Sequence, residues 1–333
     1  MKKLISISVA AYNLEKYIKQ NLDSFVNAKN KDYIEVLVID DGSTDKTALI
    51  VQEYETKYPN IIKLVKQKNA GPGSTVNNGI SKATGKYFRM VDGDDWVNTD
   101  NLDYIIEKLK KVDTDIVIAN YDVYDDSKKQ IVKTTKPNIN IQEDILKFDE
   151  ICSQISLDMH NVIFKTSILK RNKIQLDNGF YTDVEYLLLP TKFINTAIYF
   201  NKSIYIYRIA RLGQSVSLAS LQKHIDQHDK VLKRLINYYE LNKKLISNEK
   251  MTYLINRISL VADSEFITLM SYTMTKDNIN RVKKFVSELK SLSKDIYQKF
   301  AKGKKEKLLI ATNYKIIKLE SKLIKKKFFN ESD

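Results

Sequence analysis

The sequence predicts a doubly wound α/β domain followed by a mostly α-helical region, and three observations carry that expectation. Apolar β-branched runs alternate four times with stretches of helical periodicity in the first 92 residues. Six of the nine glycines, Gly42, Gly71, Gly73, Gly79, Gly85 and Gly93, fall between positions 42 and 93, so special backbone geometry is concentrated there. Charge is distributed unevenly: residues 1–200 hold 27 Lys or Arg against 28 Asp or Glu, whereas residues 201–333 hold 28 against 13. The whole basic excess, +14 overall, therefore lies in the C-terminal part.

The elements follow in order. Ile5 to Ala11 reads as a strand, and Tyr17, Ile18, Leu22 and Phe25 follow at helical spacing. Val36 to Ile39 is a second buried strand. After the turn Asp41-Gly42-Ser43, the Thr44-Asp45 pair offers an N-cap for a helix with Ala48, Leu49, Val51 and Tyr54 on one face. Ile61 to Val65 is a third strand. The loop from Asn69 to Ser74 leads into a helix through Val76, Ile80 and Ala83, and Tyr87 to Val91 is a fourth strand. Such alternation implies parallel strands joined by crossover helices, with ligands at the carboxyl ends of the strands. Residues 115–136 read as further strands, Leu187 to Ile194 as a long apolar helix, and Leu218 to Lys327 as three or four amphipathic helices.

Composition bounds the function. A chain of 333 residues, 43% hydrophobic, can bury a sizeable core. The single cysteine, Cys152, excludes an internal disulfide framework, and no Cys/His cluster has zinc-site spacing, so a reducing cytoplasm fits. The longest apolar runs are too short to span a bilayer, and Met1-Lys2-Lys3 does not open a signal peptide; a soluble or membrane-surface protein is expected.

Two acidic turns sit at the predicted binding edge. Strand two ends in Asp40-Asp41-Gly42-Ser43-Thr44-Asp45 and strand four in Asp92-Gly93-Asp94-Asp95-Trp96. Asp92 and Asp94 flank a glycine, so a tight turn can aim both at one point, and crowded carboxylates of this kind suit Mg²⁺ or Mn²⁺. The alternative is that the triplet only caps a helix beginning near Thr99. For the first turn, the alternative is a plain strand-to-helix connection. Agreement of both turns with the glycine- and Asn-bearing loop between them favours a site.

These stretches, together with Ser6 to Asn13, Asn69-Ala70-Gly71, Asn78-Gly79 and Ala83 to Tyr87, resemble a family 2 glycosyltransferase of GT-A fold. The resemblance implies a nucleotide-sugar donor, most often a UDP-sugar, held by Ala11, Tyr12, Asn13, Asp41, Asn69, Gly71, Asp92, Gly93 and Asp94, with Asp94 on a divalent metal. It implies a 1–215 catalytic domain, 1–100 for the donor and 101–215 for the acceptor, with 216–333 as a basic helical appendage. Two positions depart from the family pattern: Ala11 stands where proline is usual, and Val76-Asn77-Asn78 where Ala-Arg-Asn is usual.

Inverting glycosyl transfer needs a carboxylate to take the acceptor hydroxyl's proton. The family's acidic pair before the acceptor-side helix reads Thr182-Asp183 here, so the resemblance makes Asp183 the base. Alone, Asp183 would equally suit a first-turn helix-dipole partner. Asp95, Trp96 and His160 are expected on the acceptor side, and Arg211, near a Gly213 turn, against the diphosphate. Absence of the Gln-x-x-Arg-Trp of processive polymerases points to one sugar per encounter, a hexosyl- or N-acetylhexosaminyl transfer to a glycan or lipid-linked acceptor in cell-surface polysaccharide synthesis. The lysine-rich tail, ending in Lys325-Lys326-Lys327-Phe328-Phe329, suits either a solvated bundle face, packed on this chain or a second copy, or attraction to anionic lipid on the inner face of the plasma membrane. Two other classes compete. A nucleotidyltransferase of similar fold would need a glycine-rich loop after strand one, where Ala10 to Glu15 has none. A nucleic-acid-binding protein would leave the acidic turns unexplained.

Overall fold

The computed structural model describes residues 2–210 and 218–330, the side chains of 327–330 excepted. The chain divides into two compact units, Met1–Gly213 and Gln214–Asp333.

The first unit opens with β1 (Ile5–Ala11), α1 (Ile18–Val26), β2 (Ile34–Asp40), α2 (Thr47–Lys57), β3 (Ile62–Lys66), α3 (Pro72–Lys82) and β4 (Tyr87–Asp92). It continues through β5 (Trp96–Val97), α4 (Thr99–Leu109), β6 (Ile116–Asp125), β7 (Gln130–Thr135), β8 (Ile145–Lys147), α5 (Phe148–Ile151), β9 (Val162–Lys165), α6 (Thr166–Arg171), α7 (Thr182–Leu188) and β10 (Thr196–Ile209). The strands form one sheet in the order β3-β2-β1-β4-β9-β6-β10-β5, with β7 on β6 and β8 on β10. The first four strands are parallel, with Val9 opposite both Val38 and Val91. β9 then enters antiparallel between β4 and β6, and β10 returns parallel to β6, so the sheet as a whole is mixed. Every residue of β2 is buried, as expected of a strand covered on both faces. Chain order reverses between β1 and β4, next to Ala11 and Asp92, the position at which sheets of this kind usually bind their ligands.

A buried carboxylate ties this half together. Glu35 on β2 accepts from the Ser6 hydroxyl and from the N–H groups of Thr84 and Gly85. A Cβ on Gly85 would meet Ser6 N at 2.6 Å, so only glycine fits the turn into β4.

Two helices differ from expectation. Leu49 on α2 is 60% exposed, and the face turned inward carries Thr47 and Val51 instead. The apolar run near Leu187 is no long helix: α7 is only Thr182–Leu188, stopped near Pro190, so Asp183 lies inside its first turn.

The second unit holds seven helices among the described residues, α8 (Leu218–Lys223), α9 (Ile225–Asn242), α10 (Asn248–Met270), α11 (Lys276–Leu292), α12 (Lys294–Phe300), α13 (Lys304–Ala311) and α14 (Ile317–Asn330). Periodicity alone suggested three or four. The extra boundaries come from local backbone chemistry: Ser293 ends α11 in extended geometry and caps α12, and Asn313 and Tyr314 take positive φ before α14. Phe300 packs edge-on against Phe266 and Phe285 at 5.5 and 6.1 Å, and His228 pairs with Glu265 at 3.1 Å inside the bundle. No described helix is long and apolar enough to cross a membrane.

Two outcomes are expected. Glu35→Ala strands two buried donors and a third at the surface and should lower unfolding free energy by about 2–4 kcal/mol in denaturant titrations; a loss below about 0.5 kcal/mol would contradict its bridging role. Burial, then the neighbouring Glu306, pushes the Asp263 carboxyl on α10 up to about 7 against partial opposition from Lys299. A carboxyl raised in the folded state lends stability that is complete below its ordinary 3.8 and lost as pH rises through about 7. Asp263→Asn should therefore flatten the fall in unfolding midpoint across that window, and an unchanged slope would remove Asp263 as its cause.

Candidate functional site

The loops leaving β1 and β2 are stapled to each other. Asn13 N donates to Ser43 Oγ at 3.0 Å, and Asn13 Oδ1 accepts from Thr44 N at 2.8 Å. Leu14 N donates to Thr47 Oγ1, and Glu15 N to Asp45 Oδ2. Asn13 holds φ 54°, a left-handed geometry that asparagine tolerates better than most residues. Between these anchors Ala11 is buried and Tyr12 is 50% exposed, its ring open to the crevice edge.

Asp41 organises the loop after β3. Its backbone N–H donates to Ala11 O at 2.8 Å, while its carboxylate accepts from Ala70 N, Gly71 N and Gln67 Nε2 at 2.9, 3.0 and 2.8 Å. Gln67 extends this to Ser74 Oγ and accepts from Asn78 Nδ2. Asn69 remains exposed beside them. Gln67 went unnoticed in the sequence because a single glutamine after a strand carries no pattern.

The acidic turn after β4 is the densest charge in this unit. Carboxylate oxygens of Asp92, Asp94 and Asp95 all lie within 4.8 Å of one another. They do not cap α4: Asn98 does, accepting from Asn101 N at 3.0 Å. A Cβ on Gly93 would meet Ala10 O at 2.8 Å, so glycine lets the turn lie flat against β1. Asp95 faces inward, 1% exposed, accepting from Tyr205 Oη at 2.6 Å and Arg208 N at 2.7 Å. Burial, and after it the charges of Asp94 and Asp92, pushes its carboxyl well above the ordinary range. Asp92 and Asp94 are half-buried, which leaves two hard oxygen-donor groups at the crevice and fits a small divalent cation.

Arg208, buried at the end of β10, locks this turn from behind. Its Nε donates to Asp94 O at 2.8 Å and another nitrogen to Gln20 Oε1 at 2.6 Å, and it pairs with Asp126. The guanidinium also lies 4.6 Å from the Trp96 ring centroid and 5.0 Å from that of Tyr17. Trp96 in turn meets Tyr124 edge-on at 5.0 Å. Of the two arginines near the end of this strand, Arg208 holds the turn, while Arg211 lies outside the described residues together with Gly213.

His160 packs against Tyr121, Tyr205 and Tyr207, with ring centroids 4.9, 4.8 and 4.5 Å away. Its Nδ1 is buried without a hydrogen-bond partner, and burial, then the Arg89 charge, pushes the imidazole down to about 3. Arg89, fully buried on β4, donates to His160 O and stacks on the Tyr205 ring at 5.2 Å. Sequence reasoning missed it, since an arginine inside an apolar strand reads as an interruption. Asp183 lies in the first turn of α7, half-buried, on a helix that packs beside the 159–161 turn carrying His160. The segment before it is pressed against the β3 loop: a Cβ on Gly71 would meet Asn178 O at 2.1 Å, and one on Gly73 would meet Asp177 O at 1.7 Å. Asn77, where the family has arginine, clasps Leu176 through two bonds of 2.9 Å.

Comparison with known proteins agrees with this architecture. An uncharacterized glycosyltransferase of Haemophilus influenzae is 26% identical over 97% of this chain and 96% of its own length. The poly(ribitol-phosphate) beta-glucosyltransferase of Bacillus spizizenii is 29% identical over 65% of this chain but only 34% of its own. The chain spans about a third of the length of the first such curated relatives. The crystal structure of S. aureus TarS 1–349 in complex with UDP-GlcNAc superposes with a TM-score of 0.64 at 18% identity, covering 98% of this chain and 92% of that one, which establishes a shared fold. The profile of glycosyl transferase family 2 matches residues 6–175, more than half of the sequence, and the chain belongs to that family.

Proposed function

We propose that this chain is a metal-dependent, inverting glycosyltransferase that moves one sugar from a nucleotide-sugar, a UDP-sugar by preference, to a hydroxyl of a cell-surface glycan or its lipid-linked precursor. The observation that carries the reading is the Asp92-Gly93-Asp94 turn, set where chain order reverses between β1 and β4. TarS, solved with UDP-GlcNAc and with UDP, supports the choice of nucleotide, and the named activity of the Bacillus relative supports a polymer acceptor of the cell surface.

In this reading Tyr12 and Asp41 border the base, with Ala11, Asn13, Asn69 and Gly71 shaping the pocket and Arg211 reaching the diphosphate. Asp41 acts through the loop it holds as much as by contact, because its carboxylate already accepts three donors from residues 67–71. Asp92 meets the ribose and Asp94 holds Mn²⁺ or Mg²⁺, which when bound supplies neutralisation of the departing diphosphate. Asp183 takes the proton of the acceptor hydroxyl as its oxygen bonds to the anomeric carbon and the bond to the nucleoside diphosphate breaks. Asp95, Trp96 and His160 stand behind the acceptor side and keep it rigid. Residues 1–100 serve the donor, 101–215 the acceptor, and 216–333 form the appendage, in a protein working at the cytoplasmic side of the membrane.

Calorimetry with UDP tests the donor half: binding should require Mn²⁺ and weaken at least tenfold in Asp94→Ala. No nucleoside-diphosphate binding by wild type would sink the assignment. For the acceptor half, Asp183→Asn should lower transfer by about 10²–10⁴-fold while leaving UDP affinity within twofold, in line with the usual contribution of a general base. A fully active variant would take the base role from Asp183.

A further inference from the structure

The second unit ends in a surface with a definite chemistry. On α14, Ile317, Ser321 and Ile324 are each 3% exposed, and Ser321 Oγ donates to Met270 O on α10 at 2.7 Å, so the inward face of the helix is fixed. The opposite face is fixed with it. It presents Lys318, Leu319, Lys322, Leu323 and Lys326, all exposed and one helical turn apart in pairs. Leu319 is 58% exposed and Leu323 55%. The pattern repeats on α13, where Lys304, Lys307 and Leu308 are exposed while Glu306 and Leu309 turn inward.

Two features separate this face from an ordinary solvated lysine surface. Among the described residues no ion pair engages Lys304, Lys307, Lys318, Lys322 or Lys326, in contrast to Lys233 and Lys243, which each meet two carboxylates elsewhere in the same bundle. Leucines stand between these lysines at a position where solvent alone would favour polar residues, and apolar side chains of this exposure in a row mark a contact surface. Positive charge interleaved with apolar side chains matches an anionic bilayer: the ammonium groups meet phosphates while leucine enters the acyl boundary.

We propose that the outward face of α14 docks the protein on an anionic lipid bilayer, through Lys318, Lys322 and Lys326 on the headgroups and Leu319 and Leu323 between them. This goes beyond the transferase reading and stands without it, since it uses no residue of the acidic turns. An anionic polymer in solution would use the lysines and ignore the leucines.

Sedimentation of the full chain with phosphatidylcholine vesicles, with and without phosphatidylglycerol, tests it. Wild type should bind only the anionic vesicles. Each lysine near such a surface strengthens partitioning roughly fivefold, so Lys318→Gln/Lys322→Gln/Lys326→Gln should weaken it by about a hundredfold. Leu319→Ser/Leu323→Ser, on exposed positions that leave the inward face intact, should weaken it at least tenfold, with unchanged circular dichroism for both variants. Failure of wild type to bind anionic vesicles would overturn the proposal. So would a leucine variant that binds them as wild type does, or lysine dependence seen only with soluble polyphosphate, which would make the face a polyanion site.

Discussion

Three carboxylates within 4.8 Å of one another at the end of β4 are the constraint around which the first unit is built. Left alone, such a group would push its own turn apart. The surrounding residues counter this from several elements at once. Asn21 on α1 donates to the carbonyls of Asp92 and Asp95, and Tyr205 on β10 accepts from Asp92 N while donating to Asp95. Arg208, further along the same strand, brings a buried positive charge to the backbone of Asp94. The antiparallel pairing of β5 with β10, Trp96 opposite Ile206, is the backbone expression of the same bracket.

A division of labour follows within the triplet. Asp95 is buried in the bracket, whereas Asp92 and Asp94 are only half-buried. Arg89 and His160 extend the support behind Tyr205. His160 lies there among three tyrosines, its imidazole pushed down by burial and then by the Arg89 charge.

Much of this was legible in the sequence, for identifiable reasons. The four parallel strands announced themselves through uninterrupted β-branched runs, and the acidic turns through residue types that a strand end rarely collects by chance. Asp41 and Asp94 could be singled out because short, local spacing defined them. What escaped was non-local. Gln67, Arg89 and Arg208 matter through partners up to 188 residues away, as with Arg208 and Gln20, and no periodicity encodes that distance. The mixed sheet was hidden for the same reason: the short apolar run of β9 reads as a strand but says nothing of its antiparallel place between β4 and β6. The helix count after residue 217 was misjudged because serine and asparagine breaks do not interrupt the apolar rhythm that periodicity reads.

The contact between Gly71, Gly73 and the carbonyls of Asp177 and Asn178 bears on how such a protein can diversify. With no room for even one carbon, the loop after β3 and the segment leading to Asp183 are packed as one wall. Asn77 and Leu176 rivet that wall a second time. Grafting residues 175–183 from a relative, in the hope of a new acceptor, would therefore import a mismatch into residues 71–78 as well. The two stretches, a hundred positions apart in the chain, form one inheritable cassette, and lineages that exchange specificities are expected to exchange both together.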